Sequence, residues 1–431
     1  MSNSEAASIS ARSPRIRSYL SALPILQTAI YAGSNILVSA LAVISTSLLA
    51  RNLGATDFGR YAFAISLMTF TVMFFEFGIA LPAARLAAIA SDEREGRSVI
   101  GASIIAFVPI GLSYSLTLFG LSFVTDSVFH AHIGDALRIV APLAFFYPFM
   151  GMALQLAQGV DRLHISSVTS ALSQAIFVVF VVIGVTVTST LAISAALALR
   201  MLAFMIGGFV FVIWIRPVFR EIRRYVRLLL REVRAYGFAV YIGRVLTDAT
   251  YNMDVLMLAA FANARSVGFY TIAGAIAYAS GLPVMGMATA LFARMTKRAR
   301  LDRRWLVAAW GVGIPVAIIT WALAEPFLRI VFSPAFAAAS ALVLPLALAQ
   351  MIRGVTTVYN GFLSAHARGR ELRNAAVVLT ASNIVFNFAL IPPFGASGAA
   401  WASFLALGCN YFAHVIYYRQ TVGSEARPAV A

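Results

Sequence analysis

The chain of 431 residues is 61% hydrophobic and only 12% charged, with a mean hydropathy of +0.85. A soluble domain has about a quarter charged residues, so a soluble globular fold is excluded. The single cysteine, Cys409, excludes a disulfide framework and a cysteine metal site. The formal net charge of +16 would suit a nucleic-acid binder, but the placement of the arginines indicates another cause.

Apolar runs of about 20 residues recur along the whole chain and predict transmembrane helices. After an N-terminal tail of residues 1–24, twelve spans are predicted, at residues 25–50, 61–81, 98–124, 137–158, 165–188, 190–215, 237–262, 267–292, 305–332, 337–364, 374–393 and 397–418. Residues 419–431 form a second tail. The predicted fold class is therefore an all-α polytopic membrane protein.

One sequence pattern occurs twice, half a chain apart. Residues 51–61 read RNLGATDFGRY, and residues 260–270 read AFANARSVGFY. Gly59 aligns with Gly268 at an offset of 209 residues, and a tyrosine follows two positions later in both copies. Each copy lies between two apolar segments. Such a duplication predicts a transporter built of two similar halves that move against each other.

The longest connection, residues 216–236, divides the spans into two bundles of six, at residues 25–215 and 237–418. Its arginines alternate with apolar residues, a spacing that predicts a basic amphipathic helix on the inner membrane surface. Because each half has an even number of spans, both halves enter the membrane from the same side. They are predicted to be parallel repeats about an axis along the membrane normal.

The basic residues are strongly biased to one side of the predicted membrane. Of the 33 lysines and arginines, 25 lie in the two tails and in the connections after spans two, four, six, eight and ten, which are on the same side as the tails. Four lie in the connections on the other side. This positive-inside signal predicts that both termini are cytoplasmic. The charge thus reflects membrane topology and contact with anionic lipid headgroups, not nucleic acid. Since the external connections are short, any function lies between the helices.

Several stretches resemble the polysaccharide flippases of the multidrug/oligosaccharidyl-lipid/polysaccharide exporter superfamily. They are residues 50–61 (ARNLGATDFGRY), 75–79 (FEFGI), Asp254 with 267–270 (VGFY), and 391–401 (IPPFGASGAAW). They occur in the family's order and cover most of the chain. The resemblance implies a MATE-like fold whose two halves enclose a central cavity.

The resemblance also implies an activity. An undecaprenyl-diphosphate-linked oligosaccharide would move by alternating access from the inner to the outer leaflet of the bacterial inner membrane, for O-antigen, capsule or exopolysaccharide synthesis. The expected partners are this lipid-linked oligosaccharide, membrane lipids, and the polysaccharide polymerase and chain-length regulator of the same pathway. No cofactor, metal or nucleic acid is expected.

Charges and amides inside the spans are the candidate site, since a charge at bilayer depth costs about 2.5–3.5 kcal/mol. Arg244 and Asp248 share a face of span seven, and Arg244 aligns with Asn35 at the same offset of 209. The predicted substrate-binding residues are Arg244, Arg353, Arg200, Asn35, Tyr359, Asn360, Asn383 and Asn387. Asp248 and Glu76 are predicted to act in coupling or as counter-charges.

The chemistry of these residues suits a diphosphate-linked sugar. Guanidinium groups bind phosphate oxygens bidentately and stay charged at physiological pH. Tyrosine and asparagine offer donors and acceptors to sugar hydroxyls.

Two alternatives stay open. A MATE-type exporter of organic cations would favour embedded carboxylates over arginines. A membrane polymerase or glycosyltransferase acting on the same lipid would need catalytic carboxylates or a base at the interface. The one acidic cluster, Asp92, Glu93 and Glu95, lies in a short turn with two arginines, and the five histidines are scattered.

Overall fold

The protein is described by a computed structural model that covers residues 14–129 and 131–425. Side chains are described throughout these ranges except at residues 14–32, 236, 239, 240, 242–244, 246–249, 251, 293, 424 and 425. Within this part of the chain the regular structure is entirely helical, as the composition predicts.

The described chain forms fourteen α-helices. They are α1 Pro14–Met73, α2 Ala80–Ala88, α3 Glu93–Phe129, α4 Gly134–Val140, α5 Tyr147–Gly159, α6 Leu163–Thr188, α7 Ile193–Ile215, α8 Ile222–Glu232, α9 Phe238–Phe261, α10 Ala264–Tyr278, α11 Leu282–Met295, α12 Arg303–Phe327, α13 Ser340–Ala365 and α14 Gly369–Glu425. Single turns of 3₁₀ or π helix lie at Leu143–Phe146, Val233–Gly237, Leu328–Phe332 and Pro334–Ala339.

Two helices are too long for one crossing, and each is broken at a glycine. Gly54 in α1 has φ +74° and Gly395 in α14 has φ +54°, a region that glycine enters without steric cost. By length and composition the described residues contain seven candidate spans, or nine if each bent pair counts as one. When the broken helices α1 and α14 each count as two spans, the number of spans rises from nine to eleven, and helix α9 brings it to twelve. The predicted fold class is thus confirmed.

The two halves repeat the same order of elements. The break at Gly54 aligns at the offset of 209 with Asn263, which lies between α9 and α10 and caps α10 through its side chain. Glu93, the first residue of α3, aligns with Asp302, the N-cap of α12. The second span is interrupted in both halves, after Met73 and after Tyr278. The duplication seen in the sequence is therefore a duplication of structure.

The connections gather on two opposite sides of the bundle, which we call the arginine-rich side and the arginine-poor side. On the arginine-rich side, contacts join neighbouring connections, as where Arg162 contacts Glu93 and Arg97 donates to the carbonyl of Arg216. On the arginine-poor side, Asn52 donates to the carbonyl of Ser189.

The two halves meet backbone to backbone on the arginine-poor side. A Cβ atom at Gly59 would overlap the carbonyl oxygen of Ala264, and one at Gly268 would lie 2.8 Å from the carbonyl oxygen of Ala55. Since Gly59 aligns with Gly268 and Ala55 with Ala264, both copies make the same contact with each other. This glycine crossing therefore lies on the pseudo-twofold axis that relates the halves.

Side chains extend the contact around the glycine crossing. Arg51 donates through Nε to the carbonyl of Val331 at 2.9 Å, and Ser47 donates to the same carbonyl. Phe58 packs edge-on against Phe336 with ring centroids 5.8 Å apart. The first two spans of one half are thereby tied to the other half.

The halves also touch on the arginine-rich side. A Cβ atom at Gly78, which has φ +65°, would overlap the carbonyl of Gly237. The Tyr241 hydroxyl donates to the carbonyl of Phe74 at 3.0 Å. The second arm of α1 is therefore held by the C-terminal half at both of its ends.

Helix α8, in the connection between the halves, packs its apolar face on the protein. Tyr225 and Leu229 are 8% and 1% exposed and join a core cluster formed with α2 and α3. Arg223, Arg227 and Arg231 are exposed, on the opposite face of the helix. That α8 lies at the cytoplasmic surface of the membrane stays a prediction.

Replacing Gly59 with alanine should destabilise the contact between the halves. Overpacking of this kind typically costs about 1–3 kcal/mol, so the purified Gly59→Ala variant should melt at a lower temperature than the wild type. Gly120→Ala is the control, because a Cβ atom there meets nothing within 4 Å. Equal melting temperatures for the two variants would contradict close backbone packing at the glycine crossing.

Candidate functional site

Helix α13 is buried along most of its length, and a polar stripe interrupts the burial. Arg353 and Thr357 are half-buried, and Asn360 and Ser364 are exposed. These residues follow one another at helical spacing, so they share one face. A charged face turned to lipid is costly, whereas one turned to a water-filled space can bind a polar ligand. We name these four residues the α13 polar face.

Of the predicted residues on α13, two lie on this face and one does not. Tyr359 is buried and packs against Tyr411 and Tyr418, with ring centroids 5.8 and 5.5 Å apart. Asn360 Nδ2 lies 3.4 Å from Nε2 of His414, at the edge of that aromatic group. Arg353 and Asn360 are therefore accessible, and Tyr359 supports the helix from behind.

A buried carboxylate forms the polar core of the C-terminal half. Asn383 and Asn387 donate to Oδ1 of Asp254 at 2.8 and 2.7 Å. The hydroxyls of Tyr270 and Ser403 donate to Oδ2 at 2.8 and 2.6 Å. Four donors compensate for the lost hydration of one carboxylate. They tie together α9, α10 and both arms of α14, so Asp254 acts as a cross-link within this half.

A cavity of about 220 Å³ adjoins this core. Asp254, Thr250 and Gln350 are among its lining residues, and Oε1 of Gln350 is buried without a hydrogen-bond partner within the described part of the chain. The cavity has both the space and the polar groups that ordered water needs.

The N-terminal half has a polar core with a cation in it. The guanidinium of Arg200 lies over the rings of Phe177 and Phe204, 4.9 and 5.2 Å from their centroids, and beside the hydroxyl of Tyr61. Nε of Arg200 has no hydrogen-bond partner among the described residues. Cation–π contacts of this kind stabilise a desolvated guanidinium.

The two polar cores occupy equivalent places in the repeat. The pairs aligned at the offset of 209 are Tyr61 with Tyr270, Ser45 with Asp254, and Gln174 with Asn383. Gln174 donates to Ser45 at 3.0 Å, just as Asn383 donates to Asp254. Equivalent tyrosines therefore contact an arginine in one half and a carboxylate in the other, so the cores have the same architecture and opposite charge.

The structure does not bring the predicted site residues together in one place. Arg200 lies in the N-terminal core, and Asn383 and Asn387 are engaged by Asp254, so their contact with substrate stays a prediction. Asn35 is exposed on α1, and Glu76 is half-buried in the interruption of the second span between α1 and α2. The side chains of Arg244 and Asp248 lie outside the described residues.

Sequence reasoning found two of the four residues of the α13 polar face and two of the five residues of the Asp254 core. It did not select Asp254, Tyr270 or Ser403 as site residues, although the offset of 209 already relates Tyr270 to Tyr61. Thr357 and Ser364 could have been found from the sequence, because residues four and eleven positions after Arg353 lie on the same face of a helix. Among the described residues no group of three His, Cys, Asp or Glu side chains could hold a metal ion.

A family model described as "Polysaccharide biosynthesis protein" matches residues 26–298. No curated protein matches the sequence significantly.

Solved transporter structures share the fold across nearly the whole chain. An inward-facing multidrug resistance MATE family transporter of the MOP superfamily matches with a TM-score of 0.75 and 12% identity, over 91% of this chain and 96% of its own. The lipid II flippase MurJ, in an inward closed conformation, matches with a TM-score of 0.71 and 15% identity, over 91% of this chain and 87% of its own. A MOP superfamily transporter from Pyrococcus furiosus matches with a TM-score of 0.56 and 13% identity, over 94% of this chain and 96% of its own. At these identities the likeness shows the fold alone, which is that of a multi-pass membrane transporter.

Removing the carboxylate of Asp254 should destabilise the C-terminal half. Asp254→Ala removes an acceptor from four buried donors, of which Asn387 and Ser403 keep a second acceptor. Each group left unsatisfied costs about 1–3 kcal/mol, so the melting temperature of the purified protein should fall. Asp254→Asn keeps one acceptor oxygen and should lie between this variant and the wild type. Asp135→Ala is the control, because that carboxylate is 91% exposed in its ion pair with Arg138 and surface pairs contribute about 0–1 kcal/mol. A loss no larger than that of the control would contradict a cross-linking role.

Proposed function

The chain belongs to the polysaccharide biosynthesis protein family, and we propose that it is a flippase for undecaprenyl-diphosphate-linked oligosaccharide in the bacterial inner membrane. It moves its substrate from the inner to the outer leaflet by alternating access between two halves. Family membership and the shared transporter fold support this proposal. The reaction makes and breaks no covalent bond.

The observation that carries the proposal is the α13 polar face. Hydrocarbon rejects the charge of a diphosphate, whereas the prenyl tail can remain in lipid. Arg353 offers that diphosphate a permanent cation with bidentate geometry. Thr357, Asn360 and Ser364 follow along the same face and offer hydroxyl and amide groups to sugars. A lipid-linked glycan needs this combination of a cation followed by neutral polar groups.

The direction of transport follows from the charge bias. The arginine-rich side is the cytoplasmic side in this proposal, by the positive-inside rule. Outward movement of two uncompensated negative charges would gain about 4–5 kcal/mol at 100 mV, inside negative, from about 2.3 kcal/mol per charge. The membrane potential therefore contributes to transport when the diphosphate crosses without a counter-ion.

The chemistry of the accessible groups disfavours a multidrug exporter of organic cations. Asp254, a carboxylate buried in the fold, is saturated by four donors, and the accessible charge on α13 is a cation. The acidic cluster gives the polymerase alternative no support in the described part of the chain, since Glu93 and Glu95 are engaged in surface contacts with Arg162 and Ser91.

Deletion of the gene tests the proposed function. In cells without the protein, undecaprenyl-diphosphate glycan should accumulate on the cytoplasmic face while surface polysaccharide disappears. Single repeat units that reach the outer leaflet but stay unpolymerised would instead identify a polymerase and overturn the proposal.

Arg353 and Arg244 should be required for glycan export. Arg353→Ala and Arg244→Ala should each reduce surface glycan about tenfold or more in a complemented deletion strain, because a charge-assisted contact with the diphosphate is lost. Lysine at either position should restore part of the export, since it keeps the charge but loses the bidentate geometry.

Arg329→Ala is the matched control for these arginine variants, because Arg329 pairs with Glu325 at 2.7 Å on an exposed surface. Wild-type surface glycan in both alanine variants, with the protein present at normal levels in the membrane, would contradict the assignment of the site.

A further inference from the structure

A second polar cavity lies on the arginine-poor side, between the two halves. It has a volume of about 420 Å³, within the range of roughly 300–1,000 Å³ found for small-ligand sites. We name it the junction cavity. Its polar lining residues are Thr56 and Arg60 from α1, His132 from the connection before α4, and Asn263 and Arg265 from the start of α10.

The cations of the junction cavity are unusual for this side of the protein. Only four of the 33 lysines and arginines belong to the connections on the arginine-poor side, and two of these, Arg60 and Arg265, line this one cavity. Each comes from a different half. The glycine crossing, where Gly59 meets Ala264, brings these two cations together.

The arginines of the cavity keep donors free for a ligand. Arg60 uses Nη1 for an ion pair with Asp57 at 2.9 Å, which leaves the other N–H groups of its guanidinium. Arg265 is exposed and lies 5.2 Å from the ring centroid of Phe269. Among the described residues it has no carboxylate at ion-pair distance. Two guanidinium groups facing one cavity are suited to an anion with several oxygen atoms.

His132 is held at the cavity by its own loop. Its backbone has φ +51°, a conformation that histidine adopts more readily than most residues. The carboxylate of Asp126 accepts hydrogen bonds from the N–H groups of Ile133 and Gly134 at 2.8 and 3.1 Å. This cap fixes the start of α4 and with it the position of the imidazole, which adds a further donor.

The junction cavity borders the glycine crossing. Arg60 follows Gly59 directly, and Val267, another lining residue, precedes Gly268. A ligand in the cavity therefore contacts both halves next to the point where they meet on the pseudo-twofold axis. A site in this place changes shape when the halves separate.

We propose that the junction cavity is an exit site that binds the phosphate-bearing headgroup of the lipid-linked glycan on the arginine-poor side. This inference rests on the proposed flippase function and adds a second substrate position, separate from the α13 polar face. Arg60 and Arg265 bind the phosphate oxygens, and His132, Thr56 and Asn263 contact the adjoining sugar. Movement of the halves then releases the headgroup.

Protection of an introduced cysteine tests the exit site directly. In purified protein with Cys409→Ser, Thr56→Cys places a thiol on the exposed wall of the cavity. Inorganic diphosphate and farnesyl diphosphate should each slow its reaction with a charged thiol reagent. Protection should need about tenfold more ligand when Arg60→Gln and Arg265→Gln are added, because two charge-assisted contacts are lost.

Two controls separate this result from general effects. Arg138→Gln removes a different arginine of the arginine-poor side, one that pairs with Asp135 and does not line the cavity, so protection should be unchanged. A thiol at Thr190, exposed on the same side, should not be protected. Absence of protection at Thr56→Cys, or protection unaffected by the double substitution, would overturn the exit site.

The two diphosphates distinguish the source of the ligand. Protection by farnesyl diphosphate at a lower concentration than inorganic diphosphate identifies a lipid-linked headgroup. Equal protection identifies free diphosphate as the ligand and overturns the exit-site assignment. The proposed function fails independently, if deletion of the gene leaves surface glycan intact, and the thiol measurement does not depend on that result.

Discussion

The backbone contact between Gly59 and Gly268 is the constraint on which the rest of the structure depends. Two helices approach this closely only where neither residue has a Cβ atom. Because the glycines are equivalent in the repeat, a single contact on the pseudo-twofold axis joins the halves symmetrically. Other contacts on this side, such as those of Arg51 with the connection after α12, surround that point. Alternating access requires such a contact to form and separate as a unit.

The two polar cores explain how each half can move as a rigid body. In the C-terminal half, spans one, two, five and six of the repeat meet at Asp254. In the N-terminal half, Arg200 joins spans two, five and six, and the Gln174–Ser45 hydrogen bond joins spans one and five. Apolar side chains alone give little preference between protein and lipid in a bilayer, so hydrogen bonds and close packing hold transmembrane helices together. The opposite signs of Arg200 and Asp254 show that the architecture of the core was kept in both copies while its charge diverged.

The sequence predicted the fold better than it predicted the site. Hydropathy and the offset of 209 were sufficient for twelve spans and two equivalent halves, because span length and repeat symmetry are properties of the chain alone. The junction cavity and the Asp254 core were not predictable in the same way, since both depend on which helices become neighbours. Asn383 and Asn387 illustrate the difference. Their polarity within a span was evident, but the carboxylate that binds them lies 129 and 133 residues away in the sequence.

Cross-linking across the glycine crossing is the most direct test of transport by two moving halves. With Cys409 replaced, Ala55→Cys and Ala264→Cys place one thiol on each half at repeat-equivalent positions, and a short bifunctional thiol reagent can join them. We expect the joined protein to fail to translocate a fluorescent lipid-linked oligosaccharide in reconstituted vesicles, whereas each single-cysteine variant treated with the same reagent remains active. Wild-type translocation by the cross-linked protein would contradict alternating access through this contact.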